Sequence, residues 1–218
     1  MNENGETMKR TPLYNFGKIF VQWFLKYLIR YEVHNSENMP QTGKVIVCCN
    51  HVSLSDPVRL AFTQHRQIFF MSKSELFENK PMALLLSSLG AFPVQRGKGD
   101  KTAINKASRL LENGQALGIF IEGTRSKTGD LLPAKAGAVM IAYNNHAPIL
   151  PCCITAKGGK VPRLFHKCIV SYGDLIQPEE LGITEGSGTE YRNATRELMN
   201  KIAELRERDI NVFKKLKA

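Results

Sequence analysis

Long apolar runs are missing from this chain of 218 residues. No window offers the roughly 18 consecutive apolar residues that a helix needs to cross a bilayer. The nearest stretch, Leu13 to Ile29, is interrupted by Lys18, Gln22 and Lys26, so the chain is read as one that does not cross the membrane. Acidic residues are also scarce. Against 30 Lys and Arg stand 20 Asp and Glu, leaving a net charge of +10 that calls for an acidic partner: phosphate groups, an anionic membrane surface or nucleic acid. The five cysteines, Cys48, Cys49, Cys152, Cys153 and Cys168, show no C-x2-C zinc spacing. They read as reduced, small core residues of a cytosolic protein rather than a disulfide framework. The opening residues, MNENGETMKRTPLYNF, are too polar for a secretory signal peptide. Metalloprotease histidine spacings are absent, Gly97-Lys98-Gly99 lacks the third glycine of a dinucleotide fingerprint, and no P-loop occurs. Nor does any G-x-S-x-G nucleophile elbow, which argues against a covalent serine intermediate.

What is present is a single domain's worth of chain, 43% hydrophobic and 23% charged, enough to bury a sizeable core. From Tyr14 to Arg30, Phe16, Ile19, Phe20, Trp23, Phe24, Tyr27 and Leu28 recur at three- and four-residue spacing, and Lys18, Gln22, Lys26 and Arg30 share the other side. This is an amphipathic helix. Aromatics on one face and lysines on the other suit a helix lying in the membrane interface, while a helix packed on the core would show the same stripe. Beyond it the pattern alternates. Strands are expected at Val45–Cys49, Ile68–Met71, Ala91–Val94, Leu117–Ile121, Ile149–Thr155 and Cys168–Tyr172, with helices over 57–64, 81–89, 101–113 and 138–145. That order predicts an α/β sandwich whose mixed, partly parallel sheet is flanked by helices. Residues 182–189 read as a linker. A charged helix follows from Glu190, with Leu198, Ile202 and Leu205 as its seam and Glu197/Lys201 and Glu204/Arg208 as supporting pairs.

Chemistry concentrates at Asn50-His51-Val52-Ser53-Leu54-Ser55-Asp56, where a buried strand releases the chain toward the surface. An imidazole there can accept a proton if a carboxylate fixes its tautomer, and Asp56 is close enough to do so if a helix starts after His51. Alone, a histidine and an aspartate five positions apart are weak evidence. Three further blocks follow: Gly90-Ala91-Phe92-Pro93-Val94-Gln95-Arg96, Phe120-Ile121-Glu122-Gly123-Thr124-Arg125-Ser126, and Ala147-Pro148-Ile149-Leu150-Pro151. In order and approximate spacing the four resemble the motif blocks of the glycerolipid acyltransferases, most closely the 1-acylglycerol-3-phosphate O-acyltransferases. The resemblance runs from about Glu37 through Ile176.

The resemblance implies transfer of a fatty acyl group from acyl-CoA or acyl-carrier protein to the free hydroxyl of a lysophospholipid acceptor, giving phosphatidic acid. His51 would be the general base and Asp56 its orienter, with the substrate hydroxyl in the place of a triad serine. Arg96 would hold the acceptor phosphate, with Arg125 and the Gly123, Thr124 and Ser126 turn beside it, because guanidinium forks bind phosphate bidentately and glycine lets backbone N–H groups approach an anion. Lys73 and Lys135 could add charge. Glu122 either pairs with an arginine or binds a glycerol hydroxyl. Pro148 and Pro151 would shape the acyl-donor side as architecture, and the apolar Pro81–Leu89 stretch either lines an acyl pocket or is core. No metal or redox cofactor is implied. With the basic charge, the resemblance favours Phe16, Phe20, Trp23, Phe24, Lys18 and Lys26 as membrane contacts of a peripheral, monotopic protein on the cytoplasmic face. The expected layout is a polar tail (1–12), a membrane-association helix (13–31), an acyltransferase domain (32–181), and a linker with a C-terminal charged helix packed on the domain (182–218). Alternatives are an acceptor such as glycerol-3-phosphate or another lysolipid, a lipid-binding protein without catalysis, and a basic nucleic-acid-binding protein. The last is disfavoured because the basic residues are scattered and carry no recognition motif.

Overall fold

A computed structural model describes residues 30–88, 90–95, 101–163 and 165–215. The expected amphipathic helix, with Phe16, Lys18, Phe20, Trp23, Phe24 and Lys26, lies outside them, as does Arg96. Among the described residues seven strands form one sheet: β1 (Tyr31–His34), β2 (Val45–Cys49), β3 (Ile68–Lys73), β4 (Ala91–Val94), β5 (Ala116–Phe120), β6 (Ile149–Ala156) and β7 (Cys168–Tyr172). Their order is β1-β7-β6-β2-β5-β3-β4. From β6 to β4 every neighbour is parallel. Strand β7 turns against β6, and β1 runs parallel to β7. The helices between and after them are α1 (Asp56–Phe62), α2 (Lys80–Ser88), α3 (Lys101–Glu112), α4 (Gly137–Asn144) and α5 (Gly188–Lys215). The mixed, mostly parallel sheet with helical flanks agrees with the α/β expectation, and the bounds of the expected strands and helices differ from the observed ones by at most two residues.

Strand β1 has no counterpart in the sequence reading, and it opens at Tyr31, where that reading ended the amphipathic helix. Four residues with polar Glu32 and His34 at alternate positions carry a weak signal, and the strand exists because it pairs with β7 at the sheet edge. The parallel core strands read more clearly because both of their faces are covered. All five residues of β2 and all eight of β6 are buried. Ile46 and Cys48 face one cluster with Leu111, Leu117, Val139, Leu198 and Ile202 from α3, β5, α4 and α5. Val45, Val47 and Cys49 face the other, with Leu60 of α1, Ile68, Phe70, Leu150 and Tyr172. All five cysteines are free and buried, as expected of core residues.

On α5 the seam continues past Leu205 to Asp209 and Phe213. Among the described residues neither Glu197/Lys201 nor Glu204/Arg208 closes into an ion pair; Glu197 accepts a hydrogen bond from Asn200 instead. Apolar packing holds this helix, and its Arg206 is bonded to the Gly129 and Gly159 carbonyls and lies 3.6 Å from Asp130. In β6, an interior strand, Pro151 cannot donate to the neighbouring chain. Its carbonyl accepts from the Gly173 N–H at 2.8 Å, and the Gly173 carbonyl is satisfied instead by the Asn38 side-chain amide at 2.8 Å.

Five parallel strands share one direction, so the chain after β2, β5, β3 and β4 emerges on the same edge of the sheet. That edge gathers His51, the Glu122–Ser126 turn, Lys73 and Gln95. In open sheets of this kind ligands bind outside the carboxyl ends of the strands.

Candidate active site

Asn50 begins the site by ending β2. Its side-chain amide donates to the Ile154 carbonyl at 3.1 Å and accepts from the Ile154 N–H at 2.8 Å. The side chain continues the ladder to β6, and the backbone is free to turn away. His51 is therefore held at a fixed distance from the sheet.

Its ring packs on Phe120, with centroids 4.1 Å apart and planes at 19°. Phe120 is stacked in turn with Phe70, 6.0 Å away. Phe70 can lie there because its register partner in β5 is Gly118. A Cβ on Gly118 would come within 2.3 Å of the Phe70 ring, closer than any real contact. A glycine in the middle of a central strand thus makes room for the aromatic floor under the imidazole.

The ring's direction is set by Asp56, the first residue of α1. Its Oδ2 lies 2.9 Å from His51 Nδ1 and also accepts the N–H groups of Val52 (2.7 Å) and Ser53 (2.6 Å). A carboxylate offers only acceptors, so Nδ1 carries the proton and Nε2 is left with its lone pair. Asp56 has no exposed surface and His51 keeps 9%. The geometry is that of an oriented base.

The expected acceptor turn docks directly on this histidine. The Ser126 N–H donates to the His51 carbonyl at 2.8 Å, and the His51 N–H points at Glu122 Oε1 at 3.4 Å. Gly123 adopts a φ of +69° and closes the turn through its N–H to the Phe120 carbonyl at 3.0 Å. The stem of Lys135 lies across that glycine, so a Cβ there would meet its Cδ at 2.9 Å. Thr124, Arg125 and Lys135 are exposed, whereas Ser126 is buried and its Oγ accepts from the Gly129 N–H at 3.1 Å. Glu122 is 2% exposed, and its Oε2 has no hydrogen-bond partner among the described residues. Burial pushes its carboxyl up to about 7, against the opposing pull of the His51 and Leu132 backbone. Of the two roles read for Glu122, pairing with an arginine finds no partner among the described residues.

Other expected residues sit further away. Lys73 ends β3 on the same edge, half-exposed, and is paired with Glu75 at 2.8 Å. Arg96, expected just after β4, lies outside the described residues. Pro148 accepts from the Ile46 N–H at 2.9 Å, and Pro151 is buried beside Cys48; both are parts of the sheet. In the Pro81–Leu89 stretch Met82 is 44% and Leu84 75% exposed, and none of the side chains described there is buried; Leu54, three residues after His51, is 72% exposed.

Sequence reasoning missed Arg59. This arginine is 2% exposed, and its Nη1 donates to Ser55 Oγ at 2.6 Å and to Asp56 Oδ1 at 3.2 Å. The signal available was its position three residues after Asp56 on one helix, which ordinarily marks a surface pair.

These features have relatives. Over 121 residues the chain is 37% identical to the 1-acyl-sn-glycerol-3-phosphate acyltransferase of Bacillus subtilis, covering 55% of this chain and 60% of that one. Over 139 residues it is 27% identical to the beta form of Homo sapiens, covering 60% and 50%. The chain thus spans about half the length of the curated relatives it matches. The crystal structure of the 1-acyl-sn-glycerophosphate (LPA) acyltransferase PlsC from Thermotoga maritima has the same fold, with a TM-score of 0.62 at 24% identity over 91% of this chain and 84% of that one. The sequence model of the family described as Acyltransferase matches residues 30–155, a span that holds both the His51–Asp56 pair and the turn docked against it, and the chain belongs to this acyltransferase family.

Proposed function

We propose that the protein moves a fatty acyl group from an acyl thioester to the free hydroxyl of 1-acylglycerol-3-phosphate, giving phosphatidic acid. The observation that carries this reading is His51, with Nδ1 committed to Asp56 at 2.9 Å and the Glu122–Ser126 turn bonded to its own backbone. Nε2 takes the proton of the acceptor hydroxyl as that oxygen attacks the thioester carbonyl. The tetrahedral intermediate collapses, the C–S bond breaks, and the imidazolium returns its proton to the leaving thiolate. Direct transfer of this kind asks for no metal or redox group.

Arg125 and Lys135, exposed at the mouth of the turn, together with Arg96, supply cations for the acceptor phosphate. Glu122 supports a different role. A buried carboxyl with a free oxygen and a value pushed up to about 7 suits a hydrogen bond to a glycerol hydroxyl better than a place beside phosphate. Exposed Leu54, Met82 and Leu84 offer apolar surface for an acyl chain or lipid near the same edge. The net charge of +10 suits acyl-CoA, acyl-carrier protein or an anionic membrane, each of them acidic. Among the described residues no helix is long and apolar enough to cross a membrane. Peripheral attachment through the 13–29 segment, on the cytoplasmic face, completes the proposal.

The test is release of free thiol from acyl-CoA in detergent micelles, with and without 1-acylglycerol-3-phosphate. Release should depend on the acceptor and fall by about 10²–10⁴-fold in His51→Ala, whose circular dichroism should match the unaltered protein. Near-unaltered turnover in that variant would remove His51 from the chemistry. Glycerol-3-phosphate and other lysolipids added as competitors distinguish the acceptors.

A further inference from the structure

A buried arginine needs a reason. Arg59 lies on the inner face of α1 with its guanidinium against Asp56 Oδ1, the oxygen that His51 does not use. Its Nη1 is anchored a second time by Ser55 Oγ, and Ser55 is braced by Ser53 Oγ at 2.8 Å. One carboxylate is therefore gripped from both ends, by a cation on Oδ1 and by the imidazole and two backbone N–H groups on Oδ2. We propose that Arg59 is a positioning residue for the general base. It locks the plane of the Asp56 carboxylate and, by sharing its negative charge, limits how strongly that charge favours the imidazolium. This assignment rests on His51 being the base of the proposed reaction, but its electrostatic part can be read without turnover.

The surroundings narrow the test. The titratable groups facing this assembly are Glu122 from the turn after β5, Cys49 from β2 and Cys168 from β7. Burial raises both thiols, that of Cys49 well above its ordinary range, and Cys168 lies against the guanidinium. Glu122, pushed up to about 7, is thus the one neighbour that titrates near neutrality and has to be separated from His51. Site-resolved imidazole NMR does so.

The experiment follows the His51 ring resonances, assigned by their loss in His51→Ala, through a pH titration of the full chain and of Arg59→Met. The midpoint should rise by about one unit when the neighbouring cation is removed. The acidic limb of kcat/KM should move up with it, and kcat should fall with little change in acceptor KM. An unchanged or lowered midpoint overturns the proposal. If Arg59→Met does not fold, Asp56→Asn is compared with Asp56→Asn/Arg59→Gln, in which no buried charge is left unpaired. The single variant should titrate about one unit below the double one, and equal midpoints overturn the proposal as well. A protein whose His51 midpoint moves as expected but which releases no thiol would instead count against the acyl-transfer reading alone.

Discussion

Two aspartates among the described residues have no exposed surface, and they are buried in different ways. Asp56, at the edge of the sheet, meets a cation, an imidazole and two backbone N–H groups. Asp209, on α5 against β6 and β7, accepts from Ser171 Oγ at 2.6 Å and Thr155 Oγ1 at 3.0 Å, with His34 Nδ1 3.8 Å off. Burial raises the Asp209 carboxyl, against the opposing pull of those hydroxyls. The contrast separates a carboxylate maintained as a charge from one that serves as an acceptor. The first is surrounded by groups that gain from the charge. The second is met by neutral hydroxyls that would bond an amide oxygen as well.

Deleting the two side chains should expose the difference. In Asp56→Ala the guanidinium of Arg59 is left buried without its counter-charge, which costs about 3–5 kcal/mol. His51 loses its orienter in the same step, so turnover should fall by about 10²–10⁴-fold. Denaturant melts and thiol release measure the two effects separately. A variant that lost activity with undiminished stability would mean that Arg59 finds other compensation, and the contrast with Asp209 would weaken.

How far this was legible in the sequence varies by element. The buried strands β2 and β6 announced themselves because parallel strands covered on both faces are continuous apolar runs. His51 and Asp56 were legible because both lie in one short segment just past such a strand. Arg59 was not, since nothing local distinguishes an arginine turned inward from a helix–surface pair. Gly118 was silent for a related reason: its role is to make room for Phe70, 48 positions earlier in the chain and next to it only through strand pairing. Asp209 did leave a trace. It continues the Leu198, Ile202, Leu205 seam at a four-residue step, and an acid on an apolar seam marks a buried partner.

Among the described residues Glu122 is the third buried carboxyl and falls between the two aspartates, drawn on by the backbone of His51 and Leu132 while its Oε2 has no hydrogen-bond partner there. Its value is raised by burial to about 7, so the stability it lends is fully present below about pH 4.5 and is lost as pH rises through 7. Glu122→Gln keeps the acceptor oxygen and removes the titration. The gap in unfolding free energy between this variant and the unaltered protein should open in the variant's favour across pH 4.5 to 7 and then level off, reaching on the order of 2–3 kcal/mol in denaturant melts. A gap that stayed constant with pH would place the carboxyl among ordinary, solvated ones. It would also remove the argument that Glu122 is protonated when it meets a hydroxyl.

Asp209 should give the smallest effects, and those on stability alone. Asp209→Ala strands the Ser171 and Thr155 hydroxyls and should cost about 1–3 kcal/mol, with thiol release unchanged. In Asp209→Asn one hydroxyl can donate to the amide oxygen while the other rotates to accept from the amide N–H. The change near pH 4 should therefore lie within about 1 kcal/mol of zero. The sign of the pH dependence follows from the raised carboxyl. The unaltered protein loses Asp209's contribution as pH rises from the ordinary carboxylate value through that raised one, the amide does not, and the asparagine variant should gain relative to it between pH 4 and pH 8. Paired thermal melts at those two pH values decide the matter. If the asparagine variant instead lost stability as pH rose, or either variant lost turnover as Asp56→Ala does, Asp209 would belong with Asp56 among the carboxylates kept for their charge. The packing of α5 on the sheet would then have to be counted as part of the catalytic apparatus.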